Sequence, residues 1–188
     1  QVVLAVPEFV ARRLLGNPAP NPAAVRRHSP WMVANLTLDN LPAGRGVDLA
    51  WDNVLQDSAG LGYVVATHQH FRPYPRETVI TYYRPLDHAE PSVVRADALQ
   101  KTHADWCDLV LADLRHAHPD LRAHVRRIDV MVWGHGMATP TPGFLAGLGQ
   151  PPVAAVPPRV HFAHSDLSGL SLFEEAYTHG VRAADTIA

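Results

Sequence analysis

The sequence predicts an α/β fold: an α+β block with an antiparallel or mixed sheet, flanked by βα pieces at both chain ends. Three observations carry this. Val2 to Pro7 is an apolar run with strand character, and Glu8 to Leu15 follows it as a short helix closed by Gly16. Val160 to Ala163 is a second buried-type strand, followed by a polar turn, His164 to Gly169, and a helix. Between them lie several short β-type runs at spacings too short for parallel crossovers.

The elements follow in order. Pro7 ends the first strand because it lacks an N–H. Residues 17–30 carry Pro18, Pro20, Pro22 and Pro30 with little periodicity, and read as a linker. Trp31 to Leu38, Leu49 to Leu55, Gly62 to Thr67 and Thr78 to Arg84 read as strands, the last being the richest in β-branched and aromatic residues. Gly44, Gly46, Gly60, Pro73 and Pro75 punctuate them. Arg95 to His116 predicts one long helix, with Leu99, Trp106, Val110 and Leu114 on a common stripe. His118, Pro119 and Asp120 break it and start a short helix. Arg127 to Trp133 is the last strand of the block, and Gly134 to Pro158 is an irregular crossing. In the closing helix, Leu170, Phe173, Tyr177, Val181, Ala184 and Ile187 recur at three- and four-residue spacing. Ser171 to Glu174 fits a capping box, with Ser168 as the rival cap.

Two parallel strands do not make a stable open α/β sheet by themselves, since sheets have about 4–6 strands. The end units therefore read as pieces of a larger parallel sheet. A start at Gln1 inside an apolar run agrees with a fragment or a processed chain.

Composition excludes several classes. The 188 residues are 47% hydrophobic and 18% charged, ordinary for a globular chain with a real core. Net charge is −2 and unclustered, which argues against nucleic acid. A single cysteine, Cys107, rules out an internal disulfide. No run approaches the ~18 apolar residues of a membrane span. The compartment stays open between cytoplasm and periplasm.

Each chemical candidate has a plain structural counterpart. His68 with His70, and His116 with His118, have metal-like spacing, but no Cys or His-Glu-x-x-His pattern joins either pair, so no metal is assigned. Ser165 and Asp166 adjoin His164 without the Gly-x-Ser-x-Gly elbow of a hydrolase. Cys107 lies in a helical stretch and reads as filler. Trp133 to Met137 places glycines on both sides of His135, which suits either close approach of backbone to a ligand or a tight strand-end turn. The closing strand, turn and helix suit either a ligand cradle, with free amides at the helix start, or a plain βα unit.

Phe162 and Ala163, followed by His164, Ser165 and Asp166 and by a helix carrying Gly180 to Ala184, resemble the closing flavin segment of the FAD-dependent amine oxidase and phytoene desaturase-like oxidoreductases. That segment has an F-A-G-(D/E) strand end and a G-x-x-A-A helix. Trp133 to Met137 with Pro140 to Gly143, Trp51 to Val54 and Leu61 to Thr67 look like a bacterial subgroup of FAD-dependent or NAD(P)-binding oxidoreductases. Val3 to Pro7 is similar to the strand that leaves the FAD domain for the substrate domain. Two departures stand out: no Gly-x-Gly-x-x-Gly loop is present, and the only lysine, Lys101, falls in a predicted helix rather than at the family's flavin-side lysine.

The resemblance implies the following layout. Residues 1–16 are a piece of a Rossmann-like FAD-binding domain, 17–30 a linker, 31–145 the substrate domain, 146–158 a crossing loop, and 159–188 the closing strand and helix of the FAD domain. The implied cofactor is FAD, accepting a hydride at N5 from an amine or another small reduced compound. The backbone of Ser171, Leu172 and Phe173 would face the N1–O2 edge of the ring. Asp166 or Ser165 would accept from a ribityl hydroxyl, with His164 beside them and Ala5 and Pro7 on the other side. Trp133 and His135 would line the substrate face. The implied partners are the missing dinucleotide-binding portion and a small-molecule substrate, and the fragment alone would be inactive. The competing expectation is a non-catalytic ligand- or partner-binding module with the same fold.

Overall fold

A computed structural model of the chain describes residues 1–20, 26–40, 49–66 and 77–188. It is a mixed α/β structure with one parallel and one larger, mainly antiparallel sheet. It divides into two compact units, residues 1–28 with 137–188, and residues 29–136.

In the first unit, strand β1 (Val2–Leu4) pairs in parallel with β7 (Val160–Phe162), register Val3 to His161. Helix α1 (Glu8–Leu14) follows β1. Its end is a Schellman turn: the Asn17 amide donates to the Arg12 carbonyl at 2.8 Å and the Gly16 amide to Arg13 at 3.2 Å. Gly16 has φ +80°, the left-handed conformation that glycine adopts without a Cβ clash. Two 3₁₀ turns, Phe144–Gly147 and Ser165–Leu167, precede the closing helix α5 (Phe173–Ile187).

The apolar stripe of α5 does not all become core. Phe173 is 78% exposed, Tyr177 64% and Val181 43%, whereas His179 and Ala183 are buried. The capping box at Ser171 does not form either. The N-cap is Leu172 and no side chain caps the helix. The Ser171 hydroxyl instead accepts from the Ala138 amide at 2.9 Å, and Ser168 pairs with the His179 ring at 2.6 Å. Both hydroxyls are used on other partners, so the local motif loses to tertiary contacts.

In the second unit, the sheet runs β3 (Asp52–Asn53), β4 (Gly62–Val65), β5 (Thr78–Pro85), β2 (Arg27–Leu38), β6 (Val125–Thr139). Strands β2 and β5 are antiparallel, with Leu36 opposite Ile80 and Ala34 opposite Tyr82. Alternation puts Met32, Ala34, Leu36, Leu38, Ile80 and Tyr82 on one face, all fully buried. Val94, Ala98, Trp106, Val110, Leu114 and Leu121, from helices α2 (Pro91–Gln100), α3 (His103–Leu114) and α4 (Leu121–His124), complete that core. Each such aliphatic side chain contributes about 1.5–3 kcal/mol by leaving water.

Several expectations change here. The long helix is two helices. Thr102 caps α3 by accepting from the Asp105 amide, and Asp105 reaches back to the Thr102 amide at 2.8 Å, so the chain restarts at that point. Leu99 is consequently 76% exposed and outside the stripe, and Lys101 sits at the break, 3.3 Å from Asp97. The linker ends early, because β2 begins at Arg27. Pro30 is accommodated there through its carbonyl, which accepts from the Leu86 amide at 2.9 Å. Strand β3 keeps two residues of the expected Leu49 to Leu55. Strand β6 continues past Trp133 to Thr139, replacing the first part of the expected crossing. His68, His70, Gly44, Gly46, Thr67, Pro73, Pro75 and Pro22 lie outside the described residues.

Candidate functional site

A polar cluster of the first unit centres on Asp166, on the 3₁₀ turn that follows β7. Its Oδ2 accepts from the Glu8 amide at 2.8 Å, and its Oδ1 lies 3.0 Å from Nε2 of His28. Glu8, Arg26, His28, Ser165 and Asp166 are all buried. Burial works against the charged carboxylate. The His164 and His28 rings and the Glu8 amide outweigh it and hold the Asp166 carboxyl well below the ordinary carboxylate range. Glu8 goes the other way: burial raises it, against the lowering pull of the Arg26 amide, 3.0 Å from Oε2, and of Arg12.

Arg26 closes the cluster. Its Nε donates to the Asp166 carbonyl at 3.1 Å and its Nη2 to the Gly147 carbonyl at 2.6 Å, while the guanidinium lies 5.0 Å from the Phe144 ring centre. The edge of Phe144 fills the space where a Cβ on Gly169 would go, and Gly169 has φ +66°. Glycine is therefore required there by both space and conformation.

A cavity of about 20 Å³ opens beside this cluster, lined by Val6, Phe162, His164, Asp166 and Glu8 among others. It lies past the C-terminal ends of β1 and β7, where parallel α/β sheets bind ligands. His164 caps the 3₁₀ turn: its Nδ1 accepts from the Asp166 amide at 3.1 Å. Its side chain is 27% exposed, against 7% for Asp166. Ala5 is exposed and Pro7 half-buried, the latter as N-cap of α1. Of the expected site residues, His164 and Asp166 line this cavity, and the Asp166 carboxylate is already hydrogen-bonded by the protein.

Ser171, Leu172 and Phe173 lead into α5. The Leu172 amide is taken by the Leu170 carbonyl at 2.8 Å. The first-turn amides, Phe173 to Glu175, have no carbonyl one turn back inside the helix and no side-chain cap. These amides, rather than that of Leu172, are the donors this helix start offers.

In the second unit, Trp133 and His135 stand two apart on β6, so they share a face. Ile128, Val130 and Val132 pack on the core, which puts Asp129, Met131 and Trp133 on the other side, where Trp133 is 55% exposed. The glycines around His135 serve the protein's own packing. A Cβ on Gly136 would lie 2.8 Å from the Trp31 ring, and one on Gly134 would lie 3.3 Å from Arg95, whose Nε donates to the Gly134 carbonyl.

Other candidates resolve locally. His118 is buried and its Nε2 lies 2.5 Å from the Tyr63 hydroxyl, while His116 Nδ1 lies 3.1 Å from the Asp113 carbonyl. Cys107 is half-buried near His103, its thiol pushed up by burial and by Asp108. Among the described residues no cluster of three or more His, Cys, Asp or Glu could hold a metal ion, and no helix is long and apolar enough to cross a membrane. Sequence reasoning missed Glu8, Arg26 and His28. Each joins Asp166 or its neighbours from more than a hundred positions away, and no periodicity marks them.

The fold is one that solved oxidases share. The chain superposes on a candidate protoporphyrinogen oxidase from Exiguobacterium sp. 255-15 with a TM-score of 0.65 at 11% identity, over 98% of this chain and 40% of that one. It also superposes on cyclohexylamine oxidase from Brevibacterium oxydans IH-35A with a TM-score of 0.60 at 14% identity, over 98% of this chain and 42% of that one. The chain therefore spans about two fifths of the length of these proteins, and identities so low carry the fold alone. No family model and no curated protein matches the sequence.

Proposed function

We propose that the chain is part of an FAD-dependent oxidoreductase of the amine oxidase-like kind, acting on an amine or another small reduced compound. The observation that carries this reading is the fold shared over 98% of the chain with two solved oxidases, one of them an amine oxidase. FAD, when bound, supplies the hydride acceptor.

The residues of the first unit suit such a cofactor. The start of α5 offers amides that no side chain caps, and a helix N-terminus carries about half a positive charge. Negative charge that builds on a reduced ring would be stabilised by those donors. Asp166, Arg26 and His28 hold the preceding turn in place. In the second unit, the face of β6 bearing Met131, Trp133 and His135 would serve the substrate. Lys101 caps the end of α2, 3.3 Å from Asp97.

Further strands of the same polypeptide would complete the first unit's sheet. Parallel sheets are normally covered on both faces, yet Val2 is 52% exposed and Val3 46%, and Phe173, Tyr177 and Val181 of α5 are exposed too. The second reading is a ligand- or partner-binding module of the same fold without flavin.

Anaerobic mixing of the FAD-loaded intact polypeptide with a panel of primary and secondary amines separates the two. Bleaching of the flavin band by at least one amine is expected. A protein that takes up FAD but is reduced by no amine or related compound would overturn the catalytic reading.

A further inference from the structure

We propose that His164, and not Asp166, is the side chain that this turn presents to a ligand, donating from Nε2 to a hydroxyl oxygen of the ribityl chain, with Asp166 as its positioning residue. The assignment rests on the FAD reading above and refines which group makes the contact. The Asp166 carboxylate is committed on both oxygens, to the Glu8 amide at 2.8 Å and to His28 at 3.0 Å. It is also only 7% exposed. A ligand hydroxyl could reach its remaining lone pairs only through that small exposed area, while the buried donors around it are already satisfied.

His164 has the opposite arrangement. A backbone N–H can only donate, so the 3.1 Å contact from the Asp166 amide makes Nδ1 the acceptor, and the neutral ring then carries its proton on Nε2. Asp166 Oδ1 lies farther from Nδ1, at 3.4 Å, so the amide decides the tautomer. Nε2 has no hydrogen-bond partner among the described residues, and the ring is 27% exposed at the wall of the cavity.

The cavity beside the ring suits a small polar group. About 20 Å³ is room for one water-sized group such as a hydroxyl. Its place past the ends of β1 and β7 is where an α/β sheet receives its ligand. The fixed ring and its single donor beside a small space suit a hydroxyl accepting from Nε2, which on the FAD reading is one of the ribityl chain.

The test compares FAD with its 2′-, 3′- and 4′-deoxyribityl analogues on the intact polypeptide, wild type, His164→Leu and His164→Gln, by fluorescence titration. For the wild type, one analogue binds about tenfold more weakly than FAD, the loss of one hydrogen bond. For His164→Leu that difference vanishes and FAD itself binds about tenfold more weakly. His164→Gln, which can place an amide donor near Nε2, recovers most of the affinity. Far-UV circular dichroism of each variant establishes that it is folded. FAD binding by His164→Leu equal to wild type, with the analogue difference intact, overturns the assignment while leaving the FAD reading standing. No FAD binding by the wild type sinks both. Nitrogen NMR of the imidazoles in the 188-residue chain gives a ligand-free check: a protonated Nδ1 on the neutral His164 ring contradicts the proposal.

Discussion

Oδ1 of Asp166 lies 3.0 Å from Nε2 of His28, across 138 positions of sequence, and both side chains are nearly inaccessible to solvent. One turn after a three-residue strand is thereby tied to the segment entering β2. The Glu8 amide on the same carboxylate ties in α1 as well. Replacing Asp166 by Asn keeps the volume and removes the charge. The variant should lose about 1–3 kcal/mol at neutral pH in urea unfolding, the cost of disturbing the buried hydrogen bonds to the Glu8 amide and His28. The acid limb gives the sign. The Asp166 carboxyl is depressed on folding, so its contribution is present above the unfolded value near ~3.9 and is lost as pH falls below it. Wild type should therefore lose stability steeply in that acid range, and Asp166→Asn should show a flatter limb.

Two glycines should respond oppositely to alanine. Gly136 has the Trp31 ring 2.8 Å from where a Cβ would sit, so Gly136→Ala should cost about 1–3 kcal/mol through overpacking. Gly180 lies inside α5 with no neighbour within 4 Å of that point. Gly180→Ala should stabilise by about 0.5–1 kcal/mol through helix propensity alone. Thermal unfolding of the two variants side by side reads both signs.

Tyr63 and His118 form the buried polar pair of the second unit, 2.5 Å apart. Tyr63→Phe leaves the His118 ring without the hydroxyl and should cost about 1–3 kcal/mol. Burial pushes the Tyr63 phenol up to about 12. Its contribution is therefore intact below the unfolded value near ~10 and is lost as pH rises from there towards the folded value. An alkaline unfolding profile should show that loss in wild type and a shallower one in Tyr63→Phe.

Thr102→Ala removes the acceptor for the Asp105 amide at the start of α3 and should cost about 1 kcal/mol. Hydrogen exchange should show faster exchange confined to the first turn of α3.

Much of this architecture could be read from local pattern. Thr78–Pro85 declares itself by β-branched and aromatic content, and Gly16 marks the end of α1 by the left-handed turn only glycine takes easily. The break between α2 and α3 was also written locally, in Thr102 and Asp105, but the apolar spacing across it masked the cap. Pro30 read as a breaker because its place in β2, held through its carbonyl by the Leu86 amide, depends on tertiary pairing. Of the site, the turn from His164 to Gly169 was legible as turn chemistry. The roles within it were not, because Glu8, Arg26 and His28 reach Asp166 through tertiary folding that leaves no periodic trace. The exposed face of α5 shows the same limit: its spacing specifies a helix with an apolar side, and says nothing about what covers that side.

The central claim, that these residues close a flavin site, is tested most directly by the stoichiometry of FAD on the intact polypeptide compared with residues 1–188 alone. One FAD per intact chain is expected, retained through gel filtration with its visible absorption band, with weak or no retention by the 188-residue chain. An intact polypeptide that stays colourless after incubation with excess FAD would contradict it.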